Sequence, residues 1–162
     1  MITEDEKNFH ALDLNACDLL NDFEVFCKLP EQSINRHDTV GWSEWIKLLE
    51  FKKRNREDNY LEYSFIGRRF VLKYSVMLFN DYLIFKTYEI KVDKNNYPAN
   101  QLNHIPELDI FYGLDDKIVF RDQIVHPNGT HKITQFCTRY IEEVAKIIRR
   151  SQVINELLNE KQ

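Results

Sequence analysis

The feature that most constrains the fold is a long block of strand-forming sequence at 60–125, followed by a single amphipathic helical pattern. Aromatic and β-branched residues alternate with polar ones, and turn residues such as Gly67 and the pair Asn80 and Asp81 separate the runs. Most connections are too short for crossover helices, so neighbouring strands should pair antiparallel. The pattern predicts an α+β fold built on a meander of about five strands.

One face of each strand should carry the core residues. In the third strand, Ile84 and Ile90 mark the expected buried face, whereas Thr87 is expected to point outward. A hairpin loop at 113–116 should join the last two strands, and a polar loop should occupy 93–106. The predicted strands cover 61–65, 70–76, 82–92, 108–112 and 118–125.

Two helical segments are predicted in the N-terminal part of the chain, at 1–56. The first is either one bent helix or two short ones, and it should end before Pro30 because proline interrupts helical hydrogen bonding. The second should cover about 42–54, where Trp42, Trp45 and Leu49 share a helical stripe.

The C-terminal segment 130–159 has the clearest helical pattern in the chain. Apolar residues recur every three or four positions, and Thr130 is a suitable N-cap. This spacing predicts a long helix that packs on the sheet and buries Val144 and Ile147. A homodimer through the same helix is an alternative use of its apolar face. Together the predicted elements form a single domain, 1–162.

Composition narrows the class of protein. A chain of 162 residues with 43% hydrophobic content fits one domain with a single core. Residues 1–6 lack the basic and apolar pattern of a secretory signal, and no apolar run is long enough to span a bilayer. Three cysteines without a C-x-x-C spacing favour free thiols, and therefore a cytoplasmic protein.

The charges are unevenly distributed. The first 24 residues are strongly acidic, whereas 47–73 carries a basic excess. The two regions could neutralise each other, or they could form two surfaces for partners of opposite charge. A regular helix would place Asp18 and Asp22 on one face, with Asp13 somewhat apart. The residues predicted to contact a partner are Asp13, Asp18, Asp22 and Glu24.

No catalytic, cofactor or metal motif is recognisable. Phosphate-binding glycine loops and H-E-x-x-H are absent from the sequence, so no cofactor is expected. Asp122, His126 and His131 surround one turn, but their spacing matches no standard zinc motif, and solvated turn histidines are the simpler interpretation. The sequence therefore favours a binding protein over an enzyme.

The basic run at 52–56 lies near the aromatic residues Phe51 and Tyr60, a combination that can bind nucleic acid. However, the chain carries a net charge of −4, and acidic residues are interleaved with the basic ones. A phosphate backbone would repel such a protein at long range, so direct nucleic-acid binding is not expected. Whether this run is structural or forms a binding patch is left open by the sequence.

Two consecutive stretches resemble strands of pleckstrin-homology domains. The sequence R-R-F-V-L at 68–72 is followed by L-F-N-D-Y-L-I-F at 78–85. In that family a basic-aromatic stretch and an L-F-x-D-x-L-L stretch occur in consecutive strands, and a C-terminal helix closes a barrel. The resemblance covers about eighteen residues and implies a binding module, without assigning lipid-binding residues to this chain.

These observations predict a small cytosolic protein that binds another protein. An acidic surface suits an immunity-like or antitoxin-like inhibitor that blocks a toxin, such as a nuclease with a basic active site. The pleckstrin-homology-like module, a secretion chaperone and a small enzyme without a recognisable motif are alternatives.

Overall fold

The computed structural model describes residues 4–32, 47–77, 82–92, 98–113, 117–121, 123–125 and 130–160. In this part of the chain, helix α1 (Glu4–Gln32) precedes one eight-stranded antiparallel sheet, and helix α2 (Thr130–Glu160) follows it. The predicted α+β class is confirmed. The counts differ, because α1 is one continuous helix and the sheet contains eight strands where about five were predicted.

The strands follow each other through the sheet in chain order. The order is interrupted where β5 and β6 both pair with β4, because a 3₁₀ turn at Pro106–Leu108 separates these two strands along the chain. The strands are β1 Leu49–Asn55, β2 Tyr60–Phe65, β3 Arg68–Met77, β4 Tyr82–Val92, β5 Pro98–His104, β6 Ile110–Gly113, β7 Ile118–Phe120 and β8 Gln123–Val125.

The predicted helix at 42–54 is wrong over its second half, which forms strand β1. Leu49 and Phe51 face the core, and β1 pairs antiparallel with β2 from Leu49 opposite Phe65 onwards. Leu49 fits a helical stripe and a strand alternation equally well, and the strand is selected because β2 supplies the hydrogen-bonding partners. Trp42 and Trp45 lie outside the described residues.

Two other sequence predictions are corrected in the second half of the sheet. The segment predicted as a polar loop contains β5, which pairs with β4 from His104 opposite Tyr88. The segment predicted as one strand at 118–125 is divided into β7 and β8, because the chain reverses near Arg121, whose φ is +58°. Leu108, predicted in a strand, is buried in the 3₁₀ turn.

Helix α1 continues beyond its predicted end, through Pro30 to Gln32. A proline this close to the C-terminus of a helix removes only one hydrogen bond from the last turns. The other backbone hydrogen bonds of this 29-residue helix are unaffected, so the helix can continue through Pro30. The inward face of α1 packs against the sheet. Its buried residues are Ala16, Leu19, Leu20, Phe23, Phe26 and Cys27.

The inner face of the sheet is covered by both helices. It presents alternate residues of the central strands, including Tyr63, Leu72 and Phe85, all of them buried. In β4 the expected burial of Ile84 and Ile90 is confirmed, since each is 8% exposed. The outward orientation predicted for Thr87 is wrong, because Thr87 is fully buried on the inner face, opposite to the two isoleucines. The apolar residues of β4 occur on both faces, so alternation alone does not identify the inner one.

Thr87 can be buried because its hydroxyl group forms a hydrogen bond inside the core. Its Oγ1 lies 2.5 Å from the hydroxyl oxygen of Tyr140 on α2, and that oxygen lies 2.8 Å from the hydroxyl oxygen of Tyr63 on β2. The Tyr140 ring also contacts Phe23 on α1 and Phe120 on β7 at centroid distances of 5.2 and 5.9 Å. One side chain of α2 therefore contacts three strands and α1.

Helix α2 and the hairpin that precedes it are present as predicted. Val144 is fully buried, whereas Ile147, which was also predicted to be buried, is only half-buried against the same core. Strands β6 and β7 pair antiparallel, with Ile110 opposite Phe120. The side chains at 153–160, which a dimer through α2 could use, lie outside the described part.

We expect Tyr140→Phe to destabilise the protein by about 1–3 kcal/mol, because the buried hydroxyl groups of Tyr63 and Thr87 lose their shared partner. Chemical denaturation by urea measures this change. Tyr88→Phe on the outer face is the control and should change stability by less than about 0.5 kcal/mol.

The triple variant Tyr63→Phe, Thr87→Val, Tyr140→Phe removes all three hydroxyl groups together. Because no polar group is then left unpaired, it should lose less stability than the sum of the three single variants. Additive losses would show that the three hydroxyl groups do not form a coupled network.

Candidate functional site

The candidate site is the outward face of α1. This face lies opposite the buried residues of the helix and presents two aliphatic and two acidic side chains, spaced by four, four and three residues. Both aliphatic side chains are mostly in solvent, with 65% of Leu14 and 56% of Val25 exposed. We refer to these residues as the α1 stripe: Leu14, Asp18, Asp22 and Val25.

The two carboxylates of the α1 stripe repel each other. Asp18 and Asp22 are one helical turn apart, a spacing at which like charges destabilise a helix. Partial burial, together with the negative charge of Asp18, raises the pKa of the Asp22 carboxyl group above its ordinary value. Among the residues that the structure describes, neither aspartate forms a salt bridge. The negative charge therefore remains uncompensated within this part of the chain.

Glu24, another predicted partner residue, does not join this face. The Glu24 carboxylate lies 3.6 Å from Lys28 Nζ on the flank of α1, and only 19% of its side chain is exposed. Lys28 Nζ also lies 4.5 Å from the centre of the Phe51 ring, so this flank packs against β1. Asp13 belongs to α1, but its side chain lies outside the described residues. The structure thus brings together Asp18 and Asp22, without Glu24.

The basic run at 52–56 makes contacts with its immediate surroundings. Lys52 Nζ lies 3.1 Å from Glu50, and Lys53 Nζ lies 5.8 Å from the centre of the Tyr60 ring. Arg54 donates to the backbone carbonyl groups of Asn55 and Tyr60 and lies 3.7 Å from the sulfur of Cys17. None of the ion pairs found in the described part joins this run to Asp18 or Asp22.

Sequence reasoning missed Leu14 and Val25. The signal was present, because Leu14, Asp18 and Val25 lie within one narrow sector of a regular helix at 100° per residue. In a bent helix, or in two short helices, these residues would not share one face, so sequence reasoning did not group them. Because α1 is one continuous helix, the residues of the α1 stripe lie on one face, and their exposure to solvent distinguishes them from the core residues of the helix.

The buried thiols do not resemble nucleophiles. Burial raises the pKa of the Cys27 thiol and of the Cys137 thiol, which favours their protonated forms. Both are free cysteines within the core, in line with the free thiols that the cysteine spacing predicts.

The described residues contain one close histidine–carboxylate pair, in which His104 Nε2 lies 2.7 Å from Asp109 Oδ1. This pair spans the break between β5 and β6, and the His104 ring also packs on Tyr88. No group of three or more metal-ligating side chains occurs among the described residues. Asp122 and His126 fall outside the described residues, as does the side chain of His131.

Comparison with known proteins found no match to a family model, to a curated protein or to a solved structure. In the described part of the chain, neither helix combines the length and the apolar character needed to cross a membrane.

We expect Asp22→Asn to stabilise the protein at neutral pH by about 0.2–0.5 kcal/mol, the usual size of one like-charge pair on a helix. The folded state raises the pKa of Asp22, so it disfavours the charged form. Wild-type stability should therefore fall as pH rises through that pKa, whereas the amide variant does not have this titration.

Thermal melts at several pH values test this expectation. The variant should have the higher Tm at pH near 7, and the difference should shrink in acid as Asp22 becomes protonated. Glu57→Gln, in the exposed β1–β2 turn, is the control. A difference in Tm that does not change with pH would contradict the assigned repulsion.

Proposed function

We propose that this protein binds another protein with a basic surface through the α1 stripe and inhibits it, as an immunity protein or antitoxin blocks its toxin. The observation that carries this proposal is a pair of carboxylates that no salt bridge within the described residues compensates, flanked by two exposed aliphatic side chains on one helix. Neither feature stabilises the described fold. Both suit a surface that is covered when a partner binds.

The two kinds of side chain would act at different stages of binding. Asp18 and Asp22 would attract a basic partner at long range and raise the association rate. Leu14 and Val25 would bury apolar surface after contact and slow dissociation. The buried face of α1 is anchored to the sheet and α2, so the stripe needs little ordering on binding.

A nuclease-like toxin is the partner class that fits these charges best. Its active site must attract a polyanionic substrate, and it would therefore also attract two adjacent carboxylates. The net charge of −4 adds to this attraction. Three free cysteines fit a reducing compartment, so a cytoplasmic location belongs to the same proposal.

The test uses Asp18→Lys/Asp22→Lys, with Glu50→Lys/Glu57→Lys as a control that changes net charge equally at exposed positions outside α1. Affinity purification from a lysate of the native host, followed by quantitative mass spectrometry, identifies proteins that the stripe variant loses and the control retains. We expect a basic protein in that set. Equal recovery by both variants would contradict the proposal.

Kinetic measurements with the purified partner then separate the two roles. The stripe variant should associate at least about tenfold more slowly at low salt and show a flatter salt dependence. Leu14→Ser/Val25→Ser should mainly increase the dissociation rate. Inhibition is tested by adding wild-type protein to a nuclease assay of the partner, and we expect the nuclease activity to fall. Full nuclease activity in the presence of the wild-type protein would contradict inhibition.

A pleckstrin-homology-like binding module is the second candidate, and the order of the elements favours it. Residues 68–72 of the first stretch lie in β3 and residues 82–85 of the second lie in β4, the two strands are consecutive and antiparallel, and a long C-terminal helix packs on the sheet. Such a module would bind through its loops and strand ends. Partner binding that survives reversal of Asp18 and Asp22, but is lost in Lys53→Glu/Arg56→Glu, would favour this candidate.

A further inference from the structure

A row of lysines crosses the outer face of the sheet. Lys73 on β3 lies directly opposite Lys86 on β4, and Tyr60 on β2 lies opposite Lys73 on the other side. Lys53 on β1 continues the row, with its ammonium group over the Tyr60 ring. Lys53 and Lys73 are exposed, and Lys86 is half-buried. We call Lys53, Lys73 and Lys86 the lysine row.

The opposed pair in this row has no compensating charge in the described part of the chain. Like charges directly across two strands destabilise a sheet, and no salt bridge found among the described residues includes Lys73 or Lys86. Glu62 on β2 lies on the same face, but Arg69 already holds its carboxylate. The lysine row therefore resembles the α1 stripe, with the opposite sign.

The two charged surfaces lie on opposite sides of the molecule. Helix α1 packs on the inner face of the sheet and directs its stripe away from it. The lysine row is on the outer face of the same sheet. One protein molecule thus has an acidic side and a basic side, which cannot reach each other within one chain.

We infer that the α1 stripe of one copy docks on the lysine row of a second copy. The spacings match, since residues one helical turn apart have Cβ atoms about 5–6 Å apart, and directly opposed residues in a sheet about 4.5–5.5 Å. Asp18 and Asp22 can therefore face Lys73 and Lys86 as two parallel ion pairs. The inference rests on the same stripe as the proposed function.

This contact joins two different surfaces, so it is heterologous and leaves an unused acidic side and an unused basic side at the ends. Copies can add at both ends, and the assemblies should grow with protein concentration. A basic partner protein would compete for the same stripe. Binding of the partner would therefore dissolve the assemblies, and salt would do the same by screening the charges.

A charge-exchange experiment tests the contact with purified full-length protein. Sedimentation velocity should show concentration-dependent assemblies of the wild-type protein at low salt, and monomers at about 0.5 M salt, where screening is strong. Asp18→Lys/Asp22→Lys alone and Lys73→Glu/Lys86→Glu alone should each reduce self-association by more than about tenfold, because like charges then meet.

Mixing these two variants should restore assembly. The reversed stripe of the first variant then faces the reversed row of the second, and the two unchanged surfaces also match. Lys47→Glu/Lys91→Glu changes net charge equally at exposed sites outside the row, and it should assemble like the wild-type protein. If a charge reversal prevents folding, the neutralising variants Asp18→Asn/Asp22→Asn and Lys73→Gln/Lys86→Gln replace it, and each should also reduce self-association.

Three results would overturn the inference: a wild-type protein that stays monomeric at low salt, a mixture that stays monomeric, or equal loss in the control variant. Binding of a polyphosphate or an acidic peptide to the row, without self-association, would also overturn it and would identify a different occupant. Lys73→Glu/Lys86→Glu keeps the α1 stripe, so its binding to a basic partner protein tests the proposed function separately.

Discussion

The arrangement of the whole molecule depends on the hydrogen bonds of the Tyr140 hydroxyl group. It pairs with Thr87 and Tyr63 inside the hydrophobic core, and the Tyr140 ring packs between α1 and β7. A slip of β4 by one residue would move Thr87 to solvent and leave the Tyr140 hydroxyl without one of its partners. The hydrogen bonds thus select one register where apolar packing alone would permit two.

This selection also determines the surfaces. With Thr87 inside, Lys86 must lie outside, and the β3–β4 register places it opposite Lys73. With Phe23 packed on Tyr140, α1 must turn Asp18 and Asp22 away from the sheet. The two charged surfaces are therefore consequences of the same core contacts, although neither stabilises the core.

The parts of the fold that follow from local pattern could be predicted from the sequence, and those that depend on distant contacts could not. Helix α2 has one strong apolar stripe, so its bounds were predicted within one residue. The residue pattern around Leu49 suits a helix and a strand equally well, and the pairing of β1 with β2 selects the strand. The burial of Thr87 requires a hydroxyl group 53 positions away. The acidic side chains of the candidate site could be predicted from composition, whereas their aliphatic neighbours required a continuous helix.

Same-sign pairs are an informative feature of a small domain because local structure gains nothing from them. A helix with Asp18 and Asp22 one turn apart would be more stable with either residue neutral, and the same holds for Lys73 opposite Lys86 in the sheet. Each pair costs only a few tenths of a kcal/mol, so the fold tolerates both. The combined repulsion can be relieved only by charges from outside the described part of the chain. Any partner that supplied such charges would gain the relief of this repulsion in addition to its own ion pairs.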